Sequence, residues 1–433
     1  MIGIIGAGIS GLVLAYELEK EKKDYVLLEA SDLPGGNIKT EIFKDYILEK
    51  GPNSILCNDE LLAYFHELGL GNEILHAAEV SKARYILKEG IPQEIPTSPP
   101  KLLSSSFFSW STKMKIMAEP FKSKKPTEEE TIKEFIEYRF GKEVENYAVN
   151  PFVSGTFAGD PAQLLLKETF PFIPEIIKKQ GSLLKGLQKN PPKRRATITF
   201  RQGMKSLPEA LASKLSAIRF HSKITEIIKN AEGFALKINA EKDYLQLSAL
   251  VLSLPAFGAA PLLQQTYPSF AAALKEVYYP PMVVAHSGYD SVIVKHSLNG
   301  FGVLHPKIED RFMAGTIWTS SVFPHRTPSN DKVLFTNFVG GTQYVDNANK
   351  DESFIRNSVT SELRRIYNIK GDPCMQRLHK WEKSIPQYDQ KIIPVNKMVK
   401  ELEKENLYVC ASWQGGISVS DCINKARSLA KEL

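Results

Sequence analysis

Residues 1–36 read MIGIIGAGISGLVLAYELEKEKKDYVLLEASDLPGG. Ile2, Ile4 and Ile5 form a short apolar run that enters Gly6-Ala7-Gly8-Ile9-Ser10-Gly11, and an amphipathic run over 12–20 follows. A second apolar run, 25–28, ends on Glu29. Strand, glycine turn, helix, strand and acid in this order predict one βαβ unit. Gly6 permits the tight turn, Gly8 lets backbone approach a pyrophosphate, and Gly11 lets helix and strand pack closely. The turn delivers a diphosphate to a helix N-terminus, where free N–H groups and the helix dipole favour an anion. Glu29 stands 18 residues past Gly11, the distance from which an acid reaches a ribose hydroxyl. The stretch predicts dinucleotide binding and fits NAD and FAD equally.

A chain of 433 residues has room for two or three domains. Its hydrophobic content of 43% and charged content of 24% are those of an ordinary soluble globular protein. The first strand begins at residue 2 and leaves no room for a signal or transit peptide, so an intracellular, cytoplasmic protein is expected. Cys57, Cys374, Cys410 and Cys422 are too few and too scattered for a metal site; no metal is expected, and buried free thiols are. The net charge of +6 permits an anionic substrate or membrane surface and demands neither. No charge occurs between Asp243 and Lys275, yet Pro255, Pro261 and Pro268 interrupt the stretch and Gln264 and Gln265 sit in its middle. A spanning helix wants roughly 20 mostly apolar residues in a row. The stretch therefore reads as a buried strand over 245–254, a Pro-led loop and a short helix.

Past Glu29, ASDLPGGNIKT (30–40) offers two consecutive glycines for close backbone approach to a ligand, and YILEKGPNS (46–54) adds a Gly-Pro turn. Alternation over 81–95 predicts a hairpin around Glu89-Gly90. Thr127 to Glu130 reads as a capping box opening a helix with an apolar face of Ile132, Phe135, Ile136 and Phe140, stopped at Gly141. A helical insertion over 96–190 is expected. From 176 to 208 there is no acid but nine bases: Lys178, Lys179, Lys185, Lys189, Lys193, Arg194, Arg195, Arg201 and Lys205. The plainer reading is a solvated loop. The other is a surface for anionic lipid, with Phe107, Phe108 and Trp110 exposed nearby, which would place the protein peripherally on the cytoplasmic face of a membrane. No recognition motif for nucleic acid accompanies the charge. Strands are expected at 196–200, 220–228, 249–254, 283–289, 301–304, 311–319 and 332–339, and helices at 207–215, 360–367 and 423–429.

The order GxGxxG, acid, Gly-Gly loop, Gly-Pro loop resembles the FAD-binding half of the amine-oxidase and protoporphyrinogen-oxidase flavoproteins. Further blocks make the resemblance specific: PFVSGTFAGDP (151–161), GFGVLHP (300–306), GTIWTSSVFPHRTP (315–328), FTNFVGG (335–341), WEKSIPQY (381–388) and GISVSDCI (416–423). Over residues 6–423 the chain is similar to the oxygen-dependent protoporphyrinogen/coproporphyrinogen oxidases of the heme pathway.

The resemblance implies an α/β plus α+β protein. A discontinuous Rossmann-type FAD domain would take 1–80, 196–262 and 403–433, a helical domain 96–190, and a mixed-sheet substrate domain 81–95 and 263–402. It implies FAD contacts at Gly6, Gly8, Ile9, Ser10, Gly11, Glu29, Ala30, Gly35, Gly36, Asn37, Gly51, Pro52, Asn53, Ser54, Ile224, Trp381, Gly416, Ile417, Ser418 and Val419. A porphyrinogen slot would be formed by Gly155, Leu304, Ile317 and Phe338. No catalytic side chain is implied, because the flavin carries the electronics. Molecular oxygen would regenerate FAD and leave hydrogen peroxide.

Three positions depart from the family. Asn37 stands where Arg or Lys usually follows Gly-Gly, and Ala411 where Gly is usual. Gln93 aligns with an Arg that holds a propionate in plant relatives, leaving a neutral amide or another base, Arg326 or Lys101, as anchor. The choice between protoporphyrinogen and coproporphyrinogen stays open, as does oligomeric state. Trp413 packs near the flavin or in the core. A carotenoid desaturase, an amine oxidase and a flavin-binding protein without turnover are the other readings.

Overall fold

The computed structural model describes residues 1–96, 98–191, 195–239 and 241–433. Lys193 and Arg194 of the basic stretch lie outside the described residues. The opening unit forms as the sequence dictates, with strands Ile2–Ile5 and Tyr25–Leu28 joined by helix Ile9–Lys20. They are central in a five-stranded parallel sheet whose other strands are Ile218–Arg219, Ala249–Leu252 and Leu407–Val409, in the order Ile218–Arg219, Tyr25–Leu28, Ile2–Ile5, Ala249–Leu252, Leu407–Val409. The sheet thus draws on both ends of the chain and two middle segments. All of Ile2–Ile5, Tyr25–Leu28 and Ala249–Leu252 are buried, as a parallel sheet covered on both faces requires. One face packs on helices Ile9–Lys20 and Val419–Ala430 through Leu12, Val13, Ala426 and Leu429. The other joins a core shared with helices Ala256–Leu263 and Ile392–Glu403 and with the helical insertion.

The expected single strand over 245–254 is two. Leu245–Leu247 closes a three-stranded antiparallel sheet with Ile224–Asn230 and Gly233–Ile238, and only Ala249–Leu252 enters the parallel sheet. The charge-free stretch continues as helices Ala256–Leu263 and Pro268–Glu276. Among the described residues no helix is long and apolar enough to cross a membrane.

A second, seven-stranded sheet runs Met375–Trp381, Met282–Asp290, Lys332–Gly340, Gly315–Trp318, Gly302–Leu304, Tyr85–Lys88, Ile91–Glu94. Its pairs are antiparallel except where Val303 and Leu304 run parallel to Tyr85 and Ile86. The hairpin turn is at Glu89-Gly90, both with positive φ. One sheet face is sealed by helix Glu352–Tyr367, whose Ile355, Val359, Leu363 and Tyr367 meet Val283, Ala285, Phe335 and Val339. That helix is a full two turns longer than expected, because Asp351 caps it by accepting from the Phe354 N–H at 2.9 Å.

The helical insertion corrects two expectations. Its helix Ile132–Phe140 is opened by Thr131 and Glu134, not Thr127 and Glu130: the Glu134 N–H donates to Thr131 Oγ1 (3.2 Å) and the Thr131 N–H to Glu134 Oε2 (2.9 Å). Glu130 is buried and accepts from Lys124. Phe107 and Phe108 are not exposed; they pack edge to face over Ile86 and cover the hairpin. Trp110 is 68% exposed, as expected. Cys57, Cys410 and Cys422 are buried free thiols, but Cys374 is exposed, beyond the end of the sheet core.

A buried ion pair holds the insertion together. Arg139 donates to Glu119 at 2.5 Å with both side chains fully shielded, and Glu119 also accepts from the Ser182 hydroxyl and the Leu183 and Leu184 N–H groups. Burial alone would raise the Glu119 carboxyl, but these donors outweigh it and hold it below the usual carboxylate range. Stability from a depressed carboxyl is fully present above the unfolded value, near about 4.3, and is lost as pH falls through the folded value. Arg139→Met is expected to cost about 3–5 kcal/mol at pH 7, read as a lowered urea midpoint. Wild type should lose part of that advantage as the titration is moved to acid; a variant matching wild type at pH 7 would refute the role.

Candidate active site

Gly6 turns the chain at φ +104°, and its N–H donates to the Leu28 carbonyl at 2.8 Å. A Cβ on Gly11 would stand 2.1 Å from the Gly6 carbonyl oxygen, so the helix reaches its strand only with glycine there. A Cβ on Gly8 would meet no atom within 4 Å: its face is open space. Around that opening, Glu29 Oε2 accepts from the Ala7 N–H (2.7 Å) and Oε1 from the Ser31 N–H and hydroxyl (2.8 Å each). The Gly35 N–H donates to the Ala7 carbonyl at 2.8 Å, and Gly35 and Gly36 both have positive φ. Ala30, Gly36 and Asn37 are exposed at the rim, and Ile9 is half-buried on the first helical turn beside buried Ser10. Ile224 sits apart from this sheet. The strand that pairs with Tyr25–Leu28 is Ile218–Arg219, and it is the Ser222 N–H that donates to the Glu29 carbonyl, at 2.7 Å. Ile224 opens the neighbouring antiparallel sheet, its side chain buried.

Gly51 packs so closely on Asn37 that a Cβ would stand 1.9 Å from its carbonyl oxygen. Pro52, Asn53 and Ser54, all half-buried, lead on to strand Ile55–Cys57. Trp381 Nε1 donates to the Lys50 carbonyl at 2.7 Å and so anchors this loop from the seven-stranded sheet. At the other end of the chain, Ser418 and Asp421 cap helix Val419–Ala430 reciprocally, and the Ser420 hydroxyl donates to the Leu56 carbonyl at 2.8 Å. The Gly416 N–H donates to the Tyr388 hydroxyl (3.0 Å), which donates to the Ser412 carbonyl (2.6 Å). Gly416 has positive φ, Ile417 is half-buried and Val419 buried. Helices Ile9–Lys20 and Val419–Ala430 pack together in one core.

Arg326 is not free to hold a carboxylate arm. It is 1% exposed and donates to Glu49 (3.2 Å), the Asn53 carbonyl (2.7 Å) and Thr199 Oγ1 (2.7 Å). Glu49 also accepts from the Met204 N–H and Thr40 hydroxyl. Lys101 is exposed and pairs with Glu94 at 3.5 Å, and Gln93 is half-buried. Trp413 is core: fully buried, with Nε1 donating to the Leu254 carbonyl.

The face of the seven-stranded sheet turned away from helix Glu352–Tyr367 carries the residues expected to form the slot. Leu304, Gly315 and Phe338 lie directly opposite one another across three strands, and Ile317 pairs with Thr336 one row on. Alternation puts Leu304, Ile317 and Phe338 on one face, each half-buried. At one end of that face the hairpin Thr40–Phe43, Tyr46–Glu49 packs Tyr46 and Leu48 on Leu334 and Met375. At the other end Gly155, exposed on helix Asn150–Phe157, comes so near that a Cβ would stand 2.5 Å from Leu304 Cδ2. The walls are uncharged. His286 and His305 are buried, and burial before all else pushes them down, to about 3 and about 4, so both are neutral at pH 7.

These residues can hold a flavin dinucleotide. Gly6–Gly11 leaves open backbone at a helix N-terminus for a diphosphate, Glu29 offers a carboxylate for a ribose, and the helix that starts at Val419 packs in the same core as the first. Fold and site define a flavin-dependent oxidoreductase. The chain belongs to the flavin-containing amine oxidoreductase family, whose match covers residues 9–433. It is 29% identical over 465 residues to protoporphyrinogen oxidase 2 of Arabidopsis thaliana, covering 98% of this chain and 91% of that one. It is 26% identical over 463 residues to coproporphyrinogen III oxidase of Bacillus subtilis (strain 168), covering 99% and 97%. A crystal structure from Exiguobacterium sp. 255-15, provisionally assigned as a protoporphyrinogen oxidase, superimposes with a TM-score of 0.82 at 19% identity, covering 100% of this chain and 98% of that one.

The open face of Gly8 separates folding from cofactor binding. Gly8→Ala should leave the melting temperature of flavin-free protein within about a degree, since nothing lies within 4 Å of the new methyl. Yet it should weaken FAD retention tenfold or more, read by flavin absorbance after gel filtration. Gly11→Ala should lose both. Equal FAD content in Gly8→Ala and wild type would exclude this cradle.

Proposed function

We propose that this protein oxidises a porphyrinogen to a porphyrin, with FAD as the resident cofactor and molecular oxygen as final acceptor. The observation that carries this is the uncharged wall of Leu304, Ile317 and Phe338, approached by Gly155, in a chain that also holds the glycine cradle. A porphyrinogen is a broad, mostly apolar macrocycle with carboxylate arms. The bound flavin supplies two-electron oxidation, and the ring must lose hydride and protons three times. This chain's own residues do the rest. Gly6, Gly8, Gly11 and Glu29 hold the dinucleotide, and Gly51–Ser54, Trp381 and Gly416–Val419 set the edge of the slot. Leu304, Ile317 and Phe338 press on the macrocycle, and the missing side chains at Gly155 and Gly315 leave it room. Relatives over the full length of the chain bear the names of both porphyrinogen oxidases, which supports the substrate class.

Protoporphyrinogen is the favoured substrate. The relative named protoporphyrinogen oxidase reaches 29% identity against 26% for the coproporphyrinogen III oxidase, whereas Gln93, an amide where plant relatives place Arg, and Arg326, committed to Glu49, discriminate neither substrate. An amide does not replace a bidentate guanidinium. Porphyrin fluorescence and oxygen uptake with protoporphyrinogen, coproporphyrinogen and a panel of amines test this directly. Protoporphyrinogen should give the highest kcat/KM, with Phe338→Ala lowering it about tenfold or more. Porphyrin formation no faster than autoxidation with both porphyrinogens would sink the proposal. Failure of the flavin to bleach with either under anaerobic conditions would leave a binding protein.

A lipid surface is also proposed, on one specific observation. Helix Trp110–Met117 exposes Trp110 (68%), Met114 (60%) and Met117 (46%) along one face, and Phe121 (86%) follows. Helix Leu183–Lys189, with exposed Lys185 and Lys189, abuts the Glu119–Phe121 turn through Glu119. Apolar anchors beside bases suit an anionic bilayer. The protein should co-sediment with acidic liposomes at low salt and Trp110→Glu, Phe121→Glu together should abolish this; no sedimentation of wild type refutes it.

A further inference from the structure

Lys425 lies nearly two turns into helix Val419–Ala430, its side chain half-buried against the loop 411–416 that leads into the same helix. Its ammonium donates to the carbonyl oxygens of Ala411 and Gln414. Among the described residues it forms no ion pair. Asp421, one turn earlier on the helix, is instead committed to the cap, accepting from the Ser418 N–H at 3.2 Å. Burial lowers the Lys425 pKa. Holding a cation here without a carboxylate is costly, and a structural tether could have been built from a neutral donor.

The peptide bonds in this loop are trans, so in each one the N–H points opposite to its C=O. With the Ala411 and Gln414 carbonyls drawn to Lys425, the N–H groups of Ser412 and Gly415 point away from the ammonium. A cation on the oxygen of a peptide polarises it and strengthens its N–H as a donor. The loop is clamped from the other side by Tyr388, through Ser412 and Gly416, and Trp413 pins its middle to the Leu254 carbonyl. Its backbone has little freedom to turn. The helix N-terminus that follows adds positive potential of the same sign.

We propose that Lys425 is a positioning residue of the flavin site, whose charge, passed through the Ala411–Ser412 and Gln414–Gly415 peptides, favours the anionic reduced form of the flavin. This rests on the flavin site alone and not on the porphyrinogen. Three holoenzymes decide it: wild type, Lys425→Gln, which keeps an N–H donor but no charge, and Lys425→Arg, which keeps the charge. Two readouts report negative charge on the flavin ring: the affinity for sulfite, which adds to the oxidised flavin and leaves an anion, and the two-electron midpoint potential.

Lys425→Gln should weaken sulfite binding at least tenfold. It should also lower the potential by about 30 mV, the equivalent of tenfold in a two-electron couple, while Lys425→Arg stays within threefold of wild type. Sulfite affinity and potential within twofold of wild type in Lys425→Gln would overturn the proposal. So would equal shifts in the Gln and Arg variants, which would make packing the cause. Loss of flavin from the Gln variant alone supports a role for charge, and loss from both counts against it. None of these readouts uses a porphyrinogen, so the result is independent of whether one is turned over.

Discussion

The ion pair between Arg326 and Glu49 ties the nucleotide-binding part of the molecule to the sheet that carries the slot. The two residues are 277 positions apart, and neither side chain is more than 1% exposed. A pair like this gains little over well-packed apolar residues, but losing one partner leaves a buried charge uncompensated, at about 3–5 kcal/mol. Its effect is one of registration. Arg326 also holds the Asn53 carbonyl and Thr199, and Glu49 also holds the Met204 N–H and Thr40. The loop at Gly51–Ser54, the strand Ala196–Phe200 and the turn that carries Arg326 can therefore adopt only one mutual placement.

Much of this was legible in the sequence where the information is local. The glycine turn, its helix and Glu29 are close in the chain, so their order and spacing identify the unit. Leu304, Ile317 and Phe338 are named only through the family resemblance; that they share one face follows from the register of three strands, which the sequence does not state. The failures are equally physical. Thr127 to Glu130 and Thr131 to Glu134 fit the same capping template, and only the burial of Glu130 beside Lys124 decides between them. Phe107 and Phe108 sit in a Ser-rich, polar-looking stretch; what buries them is Ile86, on a strand that composition cannot connect to them. Arg326 looked like a spare base because Glu49, its partner, is nearly 300 residues away.

The three residues expected to line the slot, Leu304, Ile317 and Phe338, carry no titratable group. Burial keeps His286 and His305 neutral at physiological pH. With electronics left to the cofactor, what the protein contributes is shape, orientation and a fixed electrostatic field. Two small positions, Gly155 and Gly315, determine the shape as much as the large residues do, since both crowd Leu304.

The parallel sheet is closed by Leu407–Val409 pairing with Ala249–Leu252. During synthesis the earlier strand emerges about 155 residues ahead of its partner, roughly 10–30 s at ordinary elongation rates. Throughout that interval the nascent chain presents an apolar, unpaired parallel edge, the kind of surface that nucleates aggregation. The helix N-terminus at Val419 is made later still, so the cradle is completed only once residues 416–430 have emerged. Yield of active protein should then be governed by what shields that edge in the meantime, and cofactor loading becomes the closing step of folding.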